Sequence, residues 1–250
     1  MKNRKIILHT AAGALAATNI HAAYPLLVDD AAIVAPAETE LVLFYEASYG
    51  SDEHFHAVPV EITYGLHPRV ELMVGAGYGI LDLRDNGNTE TGILDTIVAL
   101  KALGFEQGEV PFSFTAEGLV SLPTGSERKG LGNGSVNAGV NLAATRDWER
   151  TAIDVNVGYI FSEHFRGRRD DGDEWLVGGA VRYETIDTVE TFVEAFAEIP
   201  VGDARDTIFT TRAGANWEFR EDRFLGGGIG PSFGTDAPDL VATAGLTFVF

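Results

Sequence analysis

The strongest pattern in this chain is an alternation of apolar and polar residues with a period of two, repeated in segments of about ten residues. In residues 151–161, Ile153 and Val155 share one parity, whereas Asp154 and Asn156 share the other. Because successive residues of a strand point to opposite faces, each segment should present one apolar and one polar face. Twelve segments are predicted as strands: 40–49, 56–66, 70–79, 92–103, 111–122, 135–145, 150–161, 174–184, 188–199, 207–219, 223–233 and 239–250.

The connections between these segments alternate in length. Short connections are predicted at 67–69, 146–149, 185–187 and 220–222, and long ones, rich in glycine and charge, at 80–91, 123–134 and 162–173. The connection at 104–110 departs from this alternation, because it is long where a short one is expected, and those at 50–55, 200–206 and 234–238 are of modest length. Short turns at one end and long loops at the other are typical of outer-membrane β-barrels. Residues 39–250 are therefore predicted to form an all-β, transmembrane antiparallel barrel of about twelve strands.

The aromatic residues favour a transmembrane barrel over a soluble one, because alternation alone does not say which face is inside. On the apolar parity they gather near both ends of the predicted strands, as expected for rings at two membrane interfaces. Those near the short turns are Tyr64, Tyr183, Trp217, Phe219 and Phe250, and those near the longer loops are Tyr49, Tyr78, Phe161, Trp175 and Phe233.

The opposite parity is too acidic for a dry core. Burying its carboxylates without partners would be very costly, and a hydrated lumen would remove most of that cost. The carboxylates are Glu40, Glu46, Glu61, Glu71, Asp95, Glu117, Asp154, Glu184, Glu190, Glu194, Glu198 and Glu218. A soluble barrel or sandwich is the less favoured alternative.

Residues 1–23 have the features of a cleaved signal peptide: a basic start, a short apolar stretch at 6–17, and small residues at Ala22 and Ala23. The alternative is an anchoring helix, but the apolar stretch is too short to span a membrane. Export to the bacterial outer membrane is therefore predicted, and residues 24–38 form an N-terminal segment that could fold into the lumen as a plug.

The charge of the chain argues against a nucleic-acid partner. The formal net charge is −19, and removal of residues 1–23 takes away three bases and no acid, which leaves about −22. Nucleic-acid binding needs a basic surface.

The last segment alternates up to a terminal aromatic residue, with Phe248 and Phe250 on its apolar parity. This arrangement resembles the terminal-strand signature that outer-membrane barrels present to their assembly machinery. Outer-membrane lipid and the barrel assembly machinery are therefore predicted partners, together with a small solute of unknown identity.

Two groups of carboxylates are candidate lumen sites. Asp29 and Asp30 could form a binding or gating pair, and the simpler alternative is a turn or cap. Glu190, Glu194 and Glu198 share one face of one predicted strand. Such a row could attract cations along the wall, or it could be no more than a solvated wall.

Four further charged residues are candidates for the lumen. Asp95 and Lys101 share the lumen parity, and Arg182 and Arg212 are the other main inward bases. Structural ion pairs across a narrow lumen are the favoured interpretation. The alternative is that these residues form a constriction that selects among solutes.

Catalysis, metal binding and cofactors are not predicted. The chain has no cysteine, and its histidines lie in no recognised nucleophile motif. Zinc at His54, His56 and His164 or calcium at 170–174 is disfavoured, because loop histidines are commonly unliganded and the acidic run lacks EF-hand spacing. The remaining alternatives to a channel are a closed structural or ligand-binding barrel and, less favoured, an outer-membrane hydrolase.

Several short strings resemble one family. They are Tyr24-Pro25-Leu26-Leu27-Val28-Asp29-Asp30-Ala31, then 58–66, 92–95 with Lys101, and 122–125. The chain is thereby similar to a family of outer-membrane transporters associated with the meta-pathway of phenol degradation, whose members typically begin with a "RPLVTDDA"-like string. Tyr24 stands where arginine is usual, and Ala102-Leu103 replaces an expected tyrosine after Lys101. The resemblance implies transport of small solutes, with hydrophobic or aromatic compounds as the suggested class.

Overall fold

A computed structural model describes residues 26–84, 87–162, 172–202, 206–235 and 237–250. The predicted signal peptide, Tyr24 and His164 lie outside these residues. The strands are β1 Thr39–Tyr49, β2 Glu53–His67, β3 Val70–Leu83, β4 Asn88–Ile93, β5 Thr96–Phe105, β6 Ser113–Leu122, β7 Asn137–Asp147, β8 Thr151–Ser162, β9 Glu174–Ile186, β10 Val189–Pro200, β11 Ile208–Arg220, β12 Arg223–Gly230, β13 Ser232–Phe233 and β14 Leu240–Val249. No helix in this part of the chain is long and apolar enough to cross a membrane.

The strands close into a barrel in which neighbours are antiparallel, and β14 returns to pair with β1. β4 and β5 both pair with β3, and β12 and β13 both pair with β11, so each of these pairs is one interrupted strand. Pro231, which has no N–H to donate, separates β12 from β13. Fourteen segments thus occupy twelve positions, and the predicted twelve-stranded antiparallel barrel is confirmed.

The two ends of the barrel differ. The "termini end", where β1 begins and the chain finishes, carries the turns at 68–69, 106–112, 148–150, 187–188 and 221–222. The opposite "loop end" is where β1 is followed by β2, β3 by β4, β6 by β7, β8 by β9, β10 by β11 and β13 by β14.

The predicted long loop at 80–91 is wrong. β3 continues to Leu83, and β4 pairs with it from Leu83↔Asn88 to Tyr78↔Ile93, so two paired strands occupy most of the predicted loop. The alternation of inward and outward side chains continues past residue 79, where the predicted strand ended, and it places Leu81 in the interior. This continuation makes the wall of the barrel taller. β2 likewise begins at Glu53, three residues earlier than predicted, because it pairs with the extended part of β3.

The apolar parity faces outward. On β8, Ile153 and Val155 are exposed, whereas Ala152 and Asp154 are buried in the interior. Aromatic side chains lie on the outside near both ends, where an amphipathic ring is best placed at a membrane interface. Tyr159 contacts Trp175 with ring centroids 4.7 Å apart at the loop end.

Glycines on the inner face make room for aromatic rings. The Phe192 ring lies against the wall at Gly214 and Gly228, and a Cβ atom added at Gly228 would lie 2.8 Å from Phe192 Cζ. Larger residues at these positions would push the ring towards the centre of the barrel. The width of the lumen at this level therefore depends on glycine in β11 and β12.

The final residue closes the wall. The Phe250 N–H donates to the Thr39 carbonyl at 2.9 Å, and the Thr39 N–H donates to the Phe250 carbonyl at 3.1 Å. The Phe250 ring is 69% exposed and stacks with Phe248, with centroids 6.4 Å apart. The chain end thus combines backbone pairing with an outward aromatic pair.

We expect Phe250→Asp to lower the amount of folded barrel to less than about half of wild type, because it places a charge on the outward apolar face beside lipid. Phe250→Tyr, which keeps the ring, is the control and should insert normally. Heat-modifiable migration on a gel measures the folded fraction. Equal folded fractions for Phe250→Asp and wild type would contradict this role of the terminal ring.

Candidate functional site

The chain before β1 enters the barrel. Residues 26–34, called here the lumen segment, lie inside the wall, and Leu26, Leu27 and Val28 are only 4%, 3% and 1% exposed. They pack against inward apolar side chains, which are Met73, Ile97, Ala99, Leu119, Ile160, Leu176, Ala180, Phe192, Phe196 and Val241. Of the predicted N-terminal segment 24–38, residues 26–34 thus lie in the lumen, residues 35–38 are exposed, and residues 24–25 lie outside the described part of the chain.

Side chains on opposite walls hold the backbone of the lumen segment. Glu194 Oε2 on β10 accepts hydrogen bonds from the N–H groups of Leu27 and Val28 at 2.7 and 2.9 Å. Thr145 on β7 accepts from Ala31, and Glu71 on β3 accepts from Val34. β10 and β3 are six strand positions apart in a ring of twelve. The segment therefore crosses the full width of the lumen.

Asp29 anchors the segment to the wall through both of its carboxylate oxygens. Lys101 Nζ on β5 donates to Oδ1 at 2.9 Å, and Asn141 Nδ2 on β7 donates to Oδ2 at 2.8 Å. Burial raises the pKa of Asp29 above its ordinary value, and the Lys101 ammonium opposes that shift. The hydrogen bonds from Lys101 and Asn141 offset part of the cost of burying this carboxyl group.

Lys101 itself lies in a row of polar residues on neighbouring strands. Glu71 on β3 and Glu117 on β6 are its direct cross-strand neighbours, and Asn141 follows on β7. The Lys101 side chain is 2% exposed, so its charge depends on these carboxylates and on Asp29 rather than on bulk water.

Asp30 faces a second base. Arg182 NH2 lies 3.9 Å from Asp30 Oδ2, while Arg182 Nε donates to Asp154 at 2.7 Å and NH1 donates to Glu190 at 3.3 Å. Thr145, which holds the segment at Ala31, also donates to Asp154 at 2.7 Å. One network therefore joins the segment to β7, β8, β9 and β10.

The third base supports Glu194. Arg212 Nε donates to Glu194 Oε1 at 2.7 Å, and Arg212 NH1 donates to Thr243 at 3.1 Å. The two charged side chains are almost completely buried. Glu194 uses one oxygen for Arg212 and the other for the lumen segment, so the ion pair positions the acceptor that holds Leu27 and Val28.

The structure thus brings together most of the residues that the sequence singled out. Lys101, Arg182 and Arg212 each contact carboxylates in the lumen. Glu190 and Glu194 bind two of these bases, so they do not form a free acidic wall for cations. The third member of that predicted row, Glu198, is buried nearer the loop end, across from Leu176 and Ile208.

Asp95 stands apart from this network. It lies between β4 and β5, where its carboxylate accepts hydrogen bonds from the N–H groups of Gly125 and Asn133 at 2.8 and 2.7 Å. These bonds fasten the connection 123–136 to the wall. Leu131 of that connection is buried against four inward apolar residues, which are Phe55, Ala57, Leu81 and Leu94. Asp95 therefore holds a loop over the lumen.

Several residues of the site were not predicted. Thr145 and Asn141 are neutral polar residues, and nothing in the sequence distinguishes them from other inward positions. Glu71 and Asp154 were recognised as inward carboxylates, but their partners lie on distant parts of the chain. Nothing in the sequence indicated that Leu26 to Val28 would pack on lumen-facing aromatic rings.

The candidate metal ligands are not assembled. His54 Nε2 lies 3.0 Å from Arg84 NH1, and His56 Nδ1 lies 2.6 Å from the Tyr45 hydroxyl. Within the described residues, no group of three or more histidine or acidic side chains is arranged to hold a metal ion.

Comparison with known proteins identifies what this chain resembles. A family model described as "Putative MetA-pathway of phenol degradation" matches residues 38–250. No curated protein is significantly similar in sequence.

Solved structures of outer-membrane channels share the fold. The COG4313 outer membrane channel from Pseudomonas putida F1 is 16% identical, with a TM-score of 0.68 over 88% of this chain and 98% of that chain. The NanC porin is 10% identical, with a TM-score of 0.59 over 82% and 98%. The KdgM porin is 9% identical, with a TM-score of 0.55 over 84% and 99%. At these identities the comparisons establish a shared barrel fold.

Two arginine–glutamate ion pairs that differ in burial can be compared to test how burial affects stability. Arg212–Glu194 is buried, whereas Arg69–Glu109 is exposed at the termini end, and each has a hydrogen bond of 2.7 Å. We expect Arg212→Met to lower the free energy of unfolding by about 3–5 kcal/mol, because it leaves the Glu194 charge buried without its base. Arg69→Met should change it little. Urea unfolding in lipid vesicles measures both, and equal effects would contradict the assignment.

Proposed function

Since this chain belongs to the family described as "Putative MetA-pathway of phenol degradation", we propose that it is an outer-membrane channel for small solutes whose lumen is gated by residues 26–34. The outward apolar face with aromatic rings near both ends supports a position in the outer membrane. In that membrane the termini end faces the periplasm and the loop end faces the exterior.

One observation favours a channel over a permanently closed barrel. At the level of the lumen segment, the residues of the wall are small and leave space inside the barrel. A Cβ atom added at Gly178 would lie 2.8 Å from Val28 Cγ2, so this part of the wall fits the segment closely because it lacks a side chain. Ala99 and Ala180 are other small wall residues beside it. The lumen at this level is filled by the chain before β1, and departure of that chain would leave a passage.

The contacts of the segment suit a removable plug. Its backbone is held by hydrogen bonds to Glu194, Thr145 and Glu71, and each bond to a charged acceptor contributes about 1.5–3 kcal/mol. No strand pairing joins residues 26–34 to the wall. The segment can therefore leave without opening the β-sheet.

The solute class follows from the family and from the lumen lining. The family description refers to phenol degradation, and aromatic side chains such as Phe192 and Phe196 line the lumen beside the segment. Both support small hydrophobic or aromatic solutes. The structural neighbours described above are channels and porins, and we assign no catalytic role to this chain.

The gating role predicts that Asp29→Lys opens the channel, because it replaces the attraction to Lys101 by repulsion. Loss of a buried pair costs about 3–5 kcal/mol, and about 1.4 kcal/mol is tenfold in an equilibrium. We expect at least about tenfold more open time in single-channel recordings. Asp187→Lys, at an exposed turn of the termini end, is the matched control and should behave as wild type. Unaltered conductance in a folded Asp29→Lys barrel would favour the closed, ligand-binding alternative.

The orientation predicts different labelling at the two ends. The chain has no cysteine, so a single introduced thiol is unique. On intact cells, a membrane-impermeant maleimide should label Ser51→Cys at the loop end, and it should label Asp187→Cys only after the outer membrane is permeabilised. The reverse pattern would place the loop end in the periplasm.

A further inference from the structure

The lumen segment presents two chemistries side by side. Leu26, Leu27 and Val28 are apolar, and Asp29 follows at once with a carboxylate. All four side chains are buried against the wall. Val28 and Asp29 are consecutive residues, and the parts of the wall that they meet are neighbours. Asn156 joins these parts, because its Nδ2 donates to Asn141 Oδ1 at 3.2 Å and its Oδ1 would lie 2.6 Å from a Cβ atom added at Gly178.

The wall around Val28 forms an apolar subsite. Val28 and Phe196 both approach the Gly178 position, where an added Cβ atom would lie 2.8 Å from Val28 Cγ2 and 3.0 Å from Phe196 Cδ2. Phe192 and Leu176 complete this surface. Asn156 Oδ1, 2.6 Å from the same Cβ position, is the polar edge of this surface, and the two aromatic rings and the missing side chain allow a ring to take the place of the valine side chain.

The wall around Asp29 forms a carboxylate subsite. Lys101 and Asn141 donate to different oxygens of the same carboxylate, at 2.9 and 2.8 Å. The donors come from β5 and β7 and are themselves buried, so their positions are fixed by the barrel wall. Two convergent donors on two oxygens recognise a carboxylate group rather than a single acceptor atom.

From this pairing of subsites we propose that the segment occupies a binding site of the lumen, and that the natural occupant is a small apolar carboxylic acid that displaces Val28 and Asp29. This inference rests on the proposed channel function, and it adds the class of solute that opens the channel. The acid places its apolar body beside Phe192 and Phe196 and its carboxylate on Lys101 and Asn141.

Other solute classes fit the two subsites less well. A neutral apolar molecule would fill the apolar subsite but would not replace the hydrogen bonds that Asp29 accepts from the Lys101 ammonium and the Asn141 amide, and the loss of a buried hydrogen bond to a charged group is costly. A cationic molecule would meet Lys101 with the same sign of charge. A carboxylate restores both hydrogen bonds that the segment gives up.

A label on the segment tests this directly in the full chain. Ala32 has an exposed side chain, so Ala32→Cys can carry a spin label whose mobility reports release of the segment. Benzoate and benzamide are matched probes, because they share size and shape but only benzoate carries a charge. We expect benzoate to increase the mobile fraction saturably, and benzamide to require at least about tenfold higher concentration.

Lys101→Met should abolish the difference between the two probes, whereas Lys101→Arg should retain it. The comparison of benzoate with benzamide on the labelled chain needs no change at Lys101, so it holds even where Lys101→Met does not insert. Equal potency of the two probes, or no release by benzoate, would overturn the inference.

Conductance and release of the label together distinguish the channel function from the carboxylate site. If Asp29→Lys conducts but benzoate does not release the label, the channel stands and the carboxylate site is overturned. If benzoate releases the label with the expected preference but neither wild type nor Asp29→Lys conducts, the site is supported and the channel function fails.

Discussion

The requirement that every backbone N–H and C=O in a lipid environment be paired governs this structure. An open sheet would leave two unpaired edges in hydrocarbon, so the sheet must close, and the pairing of β1 with β14 closes it. Closure sends one parity of every strand to the lipid and the other to an enclosed lumen. The polar parity therefore faces a confined space, in which its carboxylates need partners.

Those partners come from three bases and from the lumen segment itself. Part of the acidic lining is neutralised by Lys101, Arg182 and Arg212. The segment adds backbone N–H donors beside wall carboxylates, and it adds carboxylates of its own beside wall bases. Glu194 shows both relations, because it binds Arg212 with one oxygen and two backbone N–H groups with the other. The segment is thus part of the charge balance of the lumen.

The sequence predicted the barrel well because alternation and turn lengths are local properties. It failed at 80–91, where polar residues and glycine hid the continuation of β3 into a hairpin. Parity also predicted that Lys101, Arg182 and Arg212 point inward. Their partners could not be predicted, because parity gives the face of a strand but not which residues meet across twelve strands. Asp95 shows the limit of prediction from parity. It lies at the break between β4 and β5, and it binds the connection 123–136 rather than a base in the lumen.

Residues 35–38 keep the segment close to the barrel. The Ala37 N–H donates to the Gly65 carbonyl, and the Gly65 N–H donates to the Glu38 carbonyl, so the chain is fixed to β2 just before β1 begins. A segment that leaves the lumen is therefore a tethered ligand whose effective concentration at its own site is of millimolar order, as for short flexible linkers. Under the proposed displacement, a free solute would compete with that local concentration, so the passage would open at high solute concentrations rather than at traces.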